Sequence, residues 1–244
     1  MTKKRIATLA TCIALVGAVA VGGTLALLAS DSKQLTNTFT VGTDYQDNDF
    51  LLKEHKVDQV VTATQATEGY EQGDYKMNAD TWEGTTSGIT ANQYTQIVPD
   101  SKLDKDPWFE ISETAPNSWI VAKVTGVDAL EAKGITVASF SNEWAVVSED
   151  EENGGYKFET LTTSNFVDGA TLVYTKQLAD DDNDTSSIFS RLNVAASFDE
   201  ENFGSATDNQ ITIKGVAIQA LAGDEINLDA NSLKEIMASL PEGF

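Results

Sequence analysis

Trp119-Ile120-Val121-Ala122-Lys123-Val124 is typical of a β-strand and is the stretch that best defines the fold class. Successive side chains of a strand point to opposite faces, so the even-numbered positions form one apolar face. The odd-numbered positions, including Lys123, share the other face. The same alternation recurs from Ile211 to Val216, whereas Val216-Ala217-Ile218 predicts a segment that is buried on both sides.

Short β-prone runs separated by turn residues continue along most of the chain, which predicts an all-β sandwich or barrel. The predicted strands cover residues 37–41, 59–64, 94–98, 108–112, 118–125, 135–140, 144–147, 156–161, 170–176, 188–196 and 210–220.

Two helices interrupt this β pattern. The first covers 127–133 and ends at Gly134, and the second covers 229–240 and ends at Pro241. Residues 68–88 are rich in Gly, Asp, Thr and Asn, which predicts a long loop or insertion. Without a repeat or a long linker, residues 42–244 are expected to form a single domain.

The N-terminus has the charge pattern of an export signal. Lys3, Lys4 and Arg5 precede an apolar run over residues 6–29 that contains no acid. Small residues favour cleavage between Ala26 and Leu27, so 1–26 is the predicted signal peptide. A cut after Ala29 and a retained membrane anchor are the alternatives, and the protein would contact the membrane only through the uncleaved signal.

Composition excludes several kinds of chemistry and one class of partner for the exported chain. The only cysteine, Cys12, lies inside the signal, so the mature protein has no disulfide and no thiol nucleophile. Removing the signal changes the formal charge from −22 to −25. Such an acidic chain lacks the cations that replace counterions on nucleic acid, which excludes nucleic acid as a partner.

Catalytic and metal motifs are scarce. His55 is the only histidine, which excludes a His-Glu-x-x-His zinc site, and it is interpreted as a solvated side chain among charges. Asp180, Asp182 and Asp184 in an acidic run could bind calcium through their carboxylates. This run lacks the complete EF-hand pattern, so a solvated hairpin turn is the alternative.

Several motifs together resemble a known family. Residues 22–31 contain a Gly-Gly-Thr-x-Ala signal end, and Asn37-Thr38-Phe39-Thr40-Val41-Gly42 follows. A turn with two prolines at 97–107, with Asp100 in place of a glycine, and the segments 118–124, 173–189 and 211–220 continue the likeness. The chain resembles the TasA/camelysin family of exported proteins from Gram-positive bacteria over nearly its whole length.

The resemblance implies a jelly-roll-like antiparallel β-sandwich and assembly into extracellular fibres of the biofilm matrix. In that family a dedicated signal peptidase cuts the chain, and the new N-terminus adds as a strand to a neighbouring subunit. The donor segment here would be 27–41. Its assembly residues are Leu27, Leu28, Ala29, Asn37, Thr38 and Phe39.

The expected function is therefore a secreted structural protein of the cell surface or matrix, not an enzyme and without a cofactor unless calcium binds. It would form a homopolymer, with other matrix components as candidate partners. A monomeric adhesin that uses Tyr70, Tyr75 and Trp82 is the first alternative. A secreted hydrolase is the second, because some relatives are described as metalloproteases, but a single histidine disfavours it.

Overall fold

The computed structural model describes residues 29–31, 49–60, 69–85, 92, 94, 97–152, 154–179, 181–198, 210–220 and 227–244, with only the backbone at 29–31 and 82–85. Strands contain 47% of these residues and helices 9%, which confirms the all-β prediction. The strands are β1 (Ala29–Asp31), β2 (Phe50–Gln59), β3 (Tyr75–Thr85), β4 (Lys102–Asp104), β5 (Trp108–Ile111), β6 (Ser118–Thr125), β7 (Ile135–Phe140), β8 (Trp144–Glu149), β9 (Tyr156–Thr160), β10 (Thr171–Tyr174), β11 (Phe189–Val194) and β12 (Thr212–Gln219).

The strands form two six-stranded sheets. The first sheet has the order β1-β12-β6-β10-β8-β9 and the second has the order β5-β2-β3-β4-β11-β7. The pairs are antiparallel, as expected for the sandwich, except that β3 and β4 are parallel where Tyr75 lies opposite Leu103.

Both predicted helices are present with shorter bounds. Helix α1 is Val127–Glu131 and helix α2 is Ala230–Ala238. Asp229 is the N-cap of α2, and its carboxylate accepts a hydrogen bond from the backbone N–H of Ser232 at 2.7 Å. This bond satisfies one of the free N–H groups at the start of the helix.

The prediction of a long loop over residues 68–88 is wrong for Tyr75–Thr85, which forms β3 and pairs with β2. The turn-prone residues in this segment disfavour a strand when the sequence is considered alone. Pairing with a neighbouring strand can override such a weak local preference. The expected strand at 94–98 is also wrong, since residues 94, 97 and 98 lie outside any strand. The predicted strand at 37–41 lies outside the described residues.

The main core lies between the sheets. An aromatic row crosses it, with ring centroids 5.2 Å apart for Phe50 and Phe109, 6.1 Å for Phe109 and Trp144, and 5.4 Å for Trp144 and Tyr174. The even-numbered positions of β6 face this core, as predicted. Aromatic contacts of this kind add to the free energy of burial.

A second cluster covers the outer face of the first sheet. Leu233 and Ile236 of α2 pack here with Trp119 and Val121 of β6. Both faces of β6 are therefore buried, although Lys123 gives its outer face a polar end. The helix supplies the apolar cover that a sheet face of this composition requires.

Gly215 of β12 is placed where a side chain does not fit. A Cβ atom there would lie 2.2 Å from Cε1 of Phe109, whose ring is fully buried. The missing side chain lets the aromatic ring approach the backbone of β12. Through this contact, β5 of the second sheet packs against β12, the strand next to the edge strand of the first sheet.

We expect Gly215→Ala to lower the free energy of unfolding by about 1–3 kcal/mol, because the added methyl overpacks the core at the Phe109 ring. Chemical denaturation of the variant measures this loss. The double variant Gly215→Ala/Phe109→Leu should lose less than the sum of the two single variants. An unchanged stability in Gly215→Ala would contradict the proposed packing.

The stabilisation that the N-cap carboxylate gives to helix α2 is expected to depend on pH. Hydrogen bonds from Ser232 lower the pKa of Asp229, so its carboxylate stabilises the folded state above its unfolded pKa. This contribution should be lost as the pH falls through the lowered folded pKa. Urea unfolding between pH 7 and pH 3 should show the stability of the native protein converging toward that of Asp229→Asn on acidification. A constant difference between the two proteins would oppose this assignment.

Candidate assembly edge

At one edge of the first sheet, strand β12 pairs with the three-residue strand β1. On one side, β12 pairs with β6 along all eight of its residues, from Thr212 to Gln219. On the other side it pairs with β1, where Ala29 lies opposite Ile218 and Asp31 opposite Val216. Among the described residues, β1 thus lies opposite residues 216–218 of the eight-residue strand β12.

The edge of β12 lies between two apolar clusters. Ala217 belongs to the core between the sheets, and Val216 and Ile218 belong to the cluster under α2. All three side chains are at most 2% exposed. In the register of this pair, Ser30 lies opposite Ala217.

Of the predicted assembly residues, Ala29 lies in β1. Leu27, Leu28, Asn37, Thr38 and Phe39 lie outside the described residues, as do the cleavage position at Ala26 and the whole predicted signal 1–26. The structure thus locates one end of the predicted donor segment on the β12 edge.

The predicted calcium loop is described in part. Asp180 lies outside the described residues, and Asp182 forms an isolated bridge in which its N–H and C=O each bond the backbone of Ala179 at 3.0 Å. In the part of the chain that the structure describes, no group of three or more His, Cys, Asp or Glu side chains is arranged to hold a metal ion.

Asp184 contacts a different carboxylate. It pairs with Glu110 of β5, which also forms an ion pair with Lys53 of β2. Partial desolvation raises the pKa of Asp184, and the hydrogen bond and negative charge of Glu110 raise it further, while Lys53 opposes this shift. The proximity of Glu110 therefore favours the protonated form of Asp184.

The interpretation of His55 as a solvated side chain is wrong. Its Nδ1 lies 2.6 Å from Oδ2 of Asp106, and its backbone N–H donates to Oδ1 of the same carboxylate at 3.0 Å. The imidazole also packs on Trp108, with ring centroids 4.8 Å apart. The His55 side chain is only 25% exposed. The carboxylate of Asp106 and the ring of Trp108 together fix its orientation.

Burial raises the pKa of Asp106, and the negative charge of Glu54 raises it further, while hydrogen bonds from His55 lower it. No sequence motif indicates this pair, because 51 positions separate the two residues. Their proximity follows from the packing of β2 beside the turn between β4 and β5.

Asp104 organises a second buried group on this sheet. Its carboxylate accepts from the hydroxyl of Tyr70 at 2.5 Å, from the backbone N–H of Met77 at 3.0 Å, and from Nε and an Nη of Arg191 at 3.3 and 3.2 Å. Asp104 is 3% exposed, so these donors replace the water that its charge has lost.

These contacts count against the adhesin surface. Tyr75 is 3% exposed and belongs to the core, and the Tyr70 hydroxyl is bound to Asp104. The prediction that the Tyr75 side chain belongs to a ligand surface is therefore wrong. The side chain of Trp82 lies outside the described residues.

No protein-family model, no curated protein and no solved structure matches the chain. The resemblance to the TasA/camelysin family stays a prediction from the sequence motifs. At the position where that family usually has glycine, Asp100 has a φ of 62°, a left-handed conformation that favours glycine.

Among the helices of the described segments, none is both long enough and apolar enough to cross a membrane.

Loss of the Arg191 cation should be costly. We expect Arg191→Ala to lower the free energy of unfolding by about 1.5–3 kcal/mol, because the buried carboxylate of Asp104 loses its charged donor. Lys176→Ala is the control, since its exposed pair with Glu143 should contribute less than about 1 kcal/mol. Equal losses in the two variants, measured by urea denaturation, would contradict the role of burial.

Proposed function

We propose that the chain is a secreted structural protein of the cell surface or biofilm matrix, without enzymatic activity, that assembles into fibres by donor-strand addition. The supporting observation is the pairing of Ala29–Asp31 with the edge of β12. This short strand belongs to the segment 27–41 that the sequence motifs indicate as the donor. In the fibre, the same pairing would join one subunit to its neighbour.

Strand addition is physically suited to this edge. The incoming strand bonds the backbone groups along β12 and places alternate side chains toward the two flanking apolar clusters. Donor and acceptor are different surfaces of one chain, so the contact is heterologous and can repeat without limit. An open filament is the expected product when the geometry does not close into a ring.

Export and composition support an extracellular role. The basic N-terminus and apolar run are typical of a cleaved signal, and a dedicated signal peptidase would produce the free donor terminus. Other matrix components remain candidate partners. The charge of −25 after cleavage favours solubility of the subunit before assembly.

Calcium binding at Asp180, Asp182 and Asp184 is part of the proposal as a modulator of assembly. Asp184 forms an isolated β-bridge with Glu110, and the two side chains share a hydrogen bond. A bound cation would neutralise repulsion between carboxylates in this loop.

The donor segment should be required for fibres. Electron microscopy of residues 27–244 should show filaments, whereas a chain that begins at Gly42 should remain monomeric because it lacks the added strand. The double variant Ala29→Pro/Ser30→Pro should also fail to assemble, since proline removes backbone donors from β1.

The double variant Ala29→Val/Ser30→Val, which keeps both backbone N–H groups of β1, is the matched control and should leave filaments intact. Filaments from the chain that begins at Gly42 would contradict donor-strand addition. A lack of filaments from every form, with and without calcium, would instead favour a monomeric surface protein.

A further inference from the structure

Two side chains of complementary reactivity meet on one buried carboxylate of the second sheet. Oε2 of Glu54 lies 2.5 Å from Nζ of Lys105, and Oε1 lies 2.5 Å from Nδ2 of Asn92. Lys105 follows β4, Glu54 lies in β2, and Asn92 belongs to the connection between β3 and β4. An amine and a carboxamide thus share one proton acceptor.

Asn92 makes three further hydrogen bonds, two through its carboxamide and one through its backbone N–H. Its Nδ2 donates to the carbonyl of His55 at 2.7 Å, and its Oδ1 accepts from the backbone N–H of Val57 at 3.2 Å. The backbone N–H of Asn92 donates to Oε1 of Glu54 at 2.9 Å. The pairing of β2 with β3 shifts register between His55 and Val57, so this side chain bonds backbone groups beside an irregular pair.

The group is largely closed to water. The side chain of Lys105 is 9% exposed and that of Glu54 is 12% exposed. The neighbouring Tyr94 donates its hydroxyl hydrogen to the carbonyl of Asp104 at 2.6 Å. Burial raises the pKa of Tyr94 well above its usual value, and the charges of Glu54 and Asp104 raise it further. Exclusion of water strengthens hydrogen bonds and favours direct proton transfer.

We propose that Lys105 and Asn92 join in an intramolecular isopeptide bond, with Glu54 as the catalytic proton carrier. The Nζ–Cγ bond forms and the Cγ–Nδ2 bond breaks. Glu54 accepts a proton from Nζ and delivers it to Nδ2, which leaves as ammonia. No atom changes oxidation state, and no other reactant is needed.

The roles follow from the contacts. Lysine amines are nucleophiles once they lose their proton, and Oε2 of Glu54 is placed to accept it. Oε1 of the same carboxylate faces the leaving nitrogen. The N–H of Val57 stabilises the negative charge that develops on Oδ1 of Asn92 during attack.

The bond would provide a covalent link in a chain whose mature part has no cysteine. It would close a ring from residue 92 to residue 105 and hold the β3–β4 connection against the end of β4. A cross-link of this kind restricts the unfolded chain, as a disulfide does. The inference goes beyond the proposed function and does not depend on fibre formation.

Mass spectrometry of the secreted, purified protein tests this bond directly. Its intact mass should be lower than the mass of its sequence by one molecule of ammonia. Peptide mapping after proteolysis should recover one branched fragment that contains both Asn92 and Lys105. An intact mass equal to the sequence mass, with the two residues recovered on separate linear peptides, would overturn the proposal.

Variants assign the atoms. Lys105→Arg and Glu54→Gln should restore the full mass, whereas Asn92→Asp should react with loss of water instead of ammonia. Lys176→Arg, at a lysine whose ammonium pairs with Glu143, is the matched control and should keep the loss of ammonia. Persistence of that loss in Lys105→Arg would contradict the assignment. Because the native protein gives the decisive mass, a variant that fails to fold leaves the test intact.

Discussion

The structure depends on a strand that is apolar on both faces but lies next to the edge of its sheet. Val216, Ala217 and Ile218 in β12 send side chains alternately into the core between the sheets and under helix α2. Such a strand must be covered on both faces, and its outer backbone groups need partners. The second sheet and α2 cover the two faces, and among the described residues β1 pairs with the outer edge of β12 at residues 216–218. The proposed assembly is a consequence of that last requirement.

Local patterning was sufficient to predict the regular parts of the fold. The bounds of β6 and β7 match the predicted strands at 118–125 and 135–140, because a long alternating run has few other ways to bury its apolar face. The apolar spacing and Asp229 also predict the C-terminal helix and its start. The sequence does not predict the position of this helix over the outer face of β6, because helical spacing does not indicate which sheet the helix covers.

The sequence-based predictions that the structure contradicts share a physical cause. β3 has few of the residues that favour strands and forms because β2 offers it a partner. His55 was interpreted as solvated because its neighbours in sequence are charged, yet its partners are Asp106 and Trp108. Pairs that are brought together by the sheet order leave no periodic signal in one sequence. The contact between Lys105, Glu54 and Asn92 is hidden for the same reason.

Buried charge distinguishes the second sheet from the first. Asp104 and Asp106 are each at most 4% exposed, and each is compensated by a specific donor, Arg191 or His55. Ionised groups in such places cost free energy unless each one is paired and hydrogen-bonded. The first sheet instead buries mainly apolar side chains on both faces, which suits it to accept a further strand.

Disulfide trapping tests the central claim most directly, because residues 27–244 contain no cysteine. Ser30 lies opposite Ala217, and residues opposite each other in an antiparallel pair have Cα atoms about 4.5–5.5 Å apart, within reach of a disulfide. Chains with Ser30→Cys alone are mixed with chains carrying Ala217→Cys alone, allowed to assemble, and oxidised; Thr212→Cys replaces Ala217→Cys as the out-of-register control. The account predicts covalent dimers in the first mixture and not in the control. If the mixture stays monomeric while the double variant Ser30→Cys/Ala217→Cys forms only an internal disulfide, β1 pairs within its own subunit and the account is contradicted.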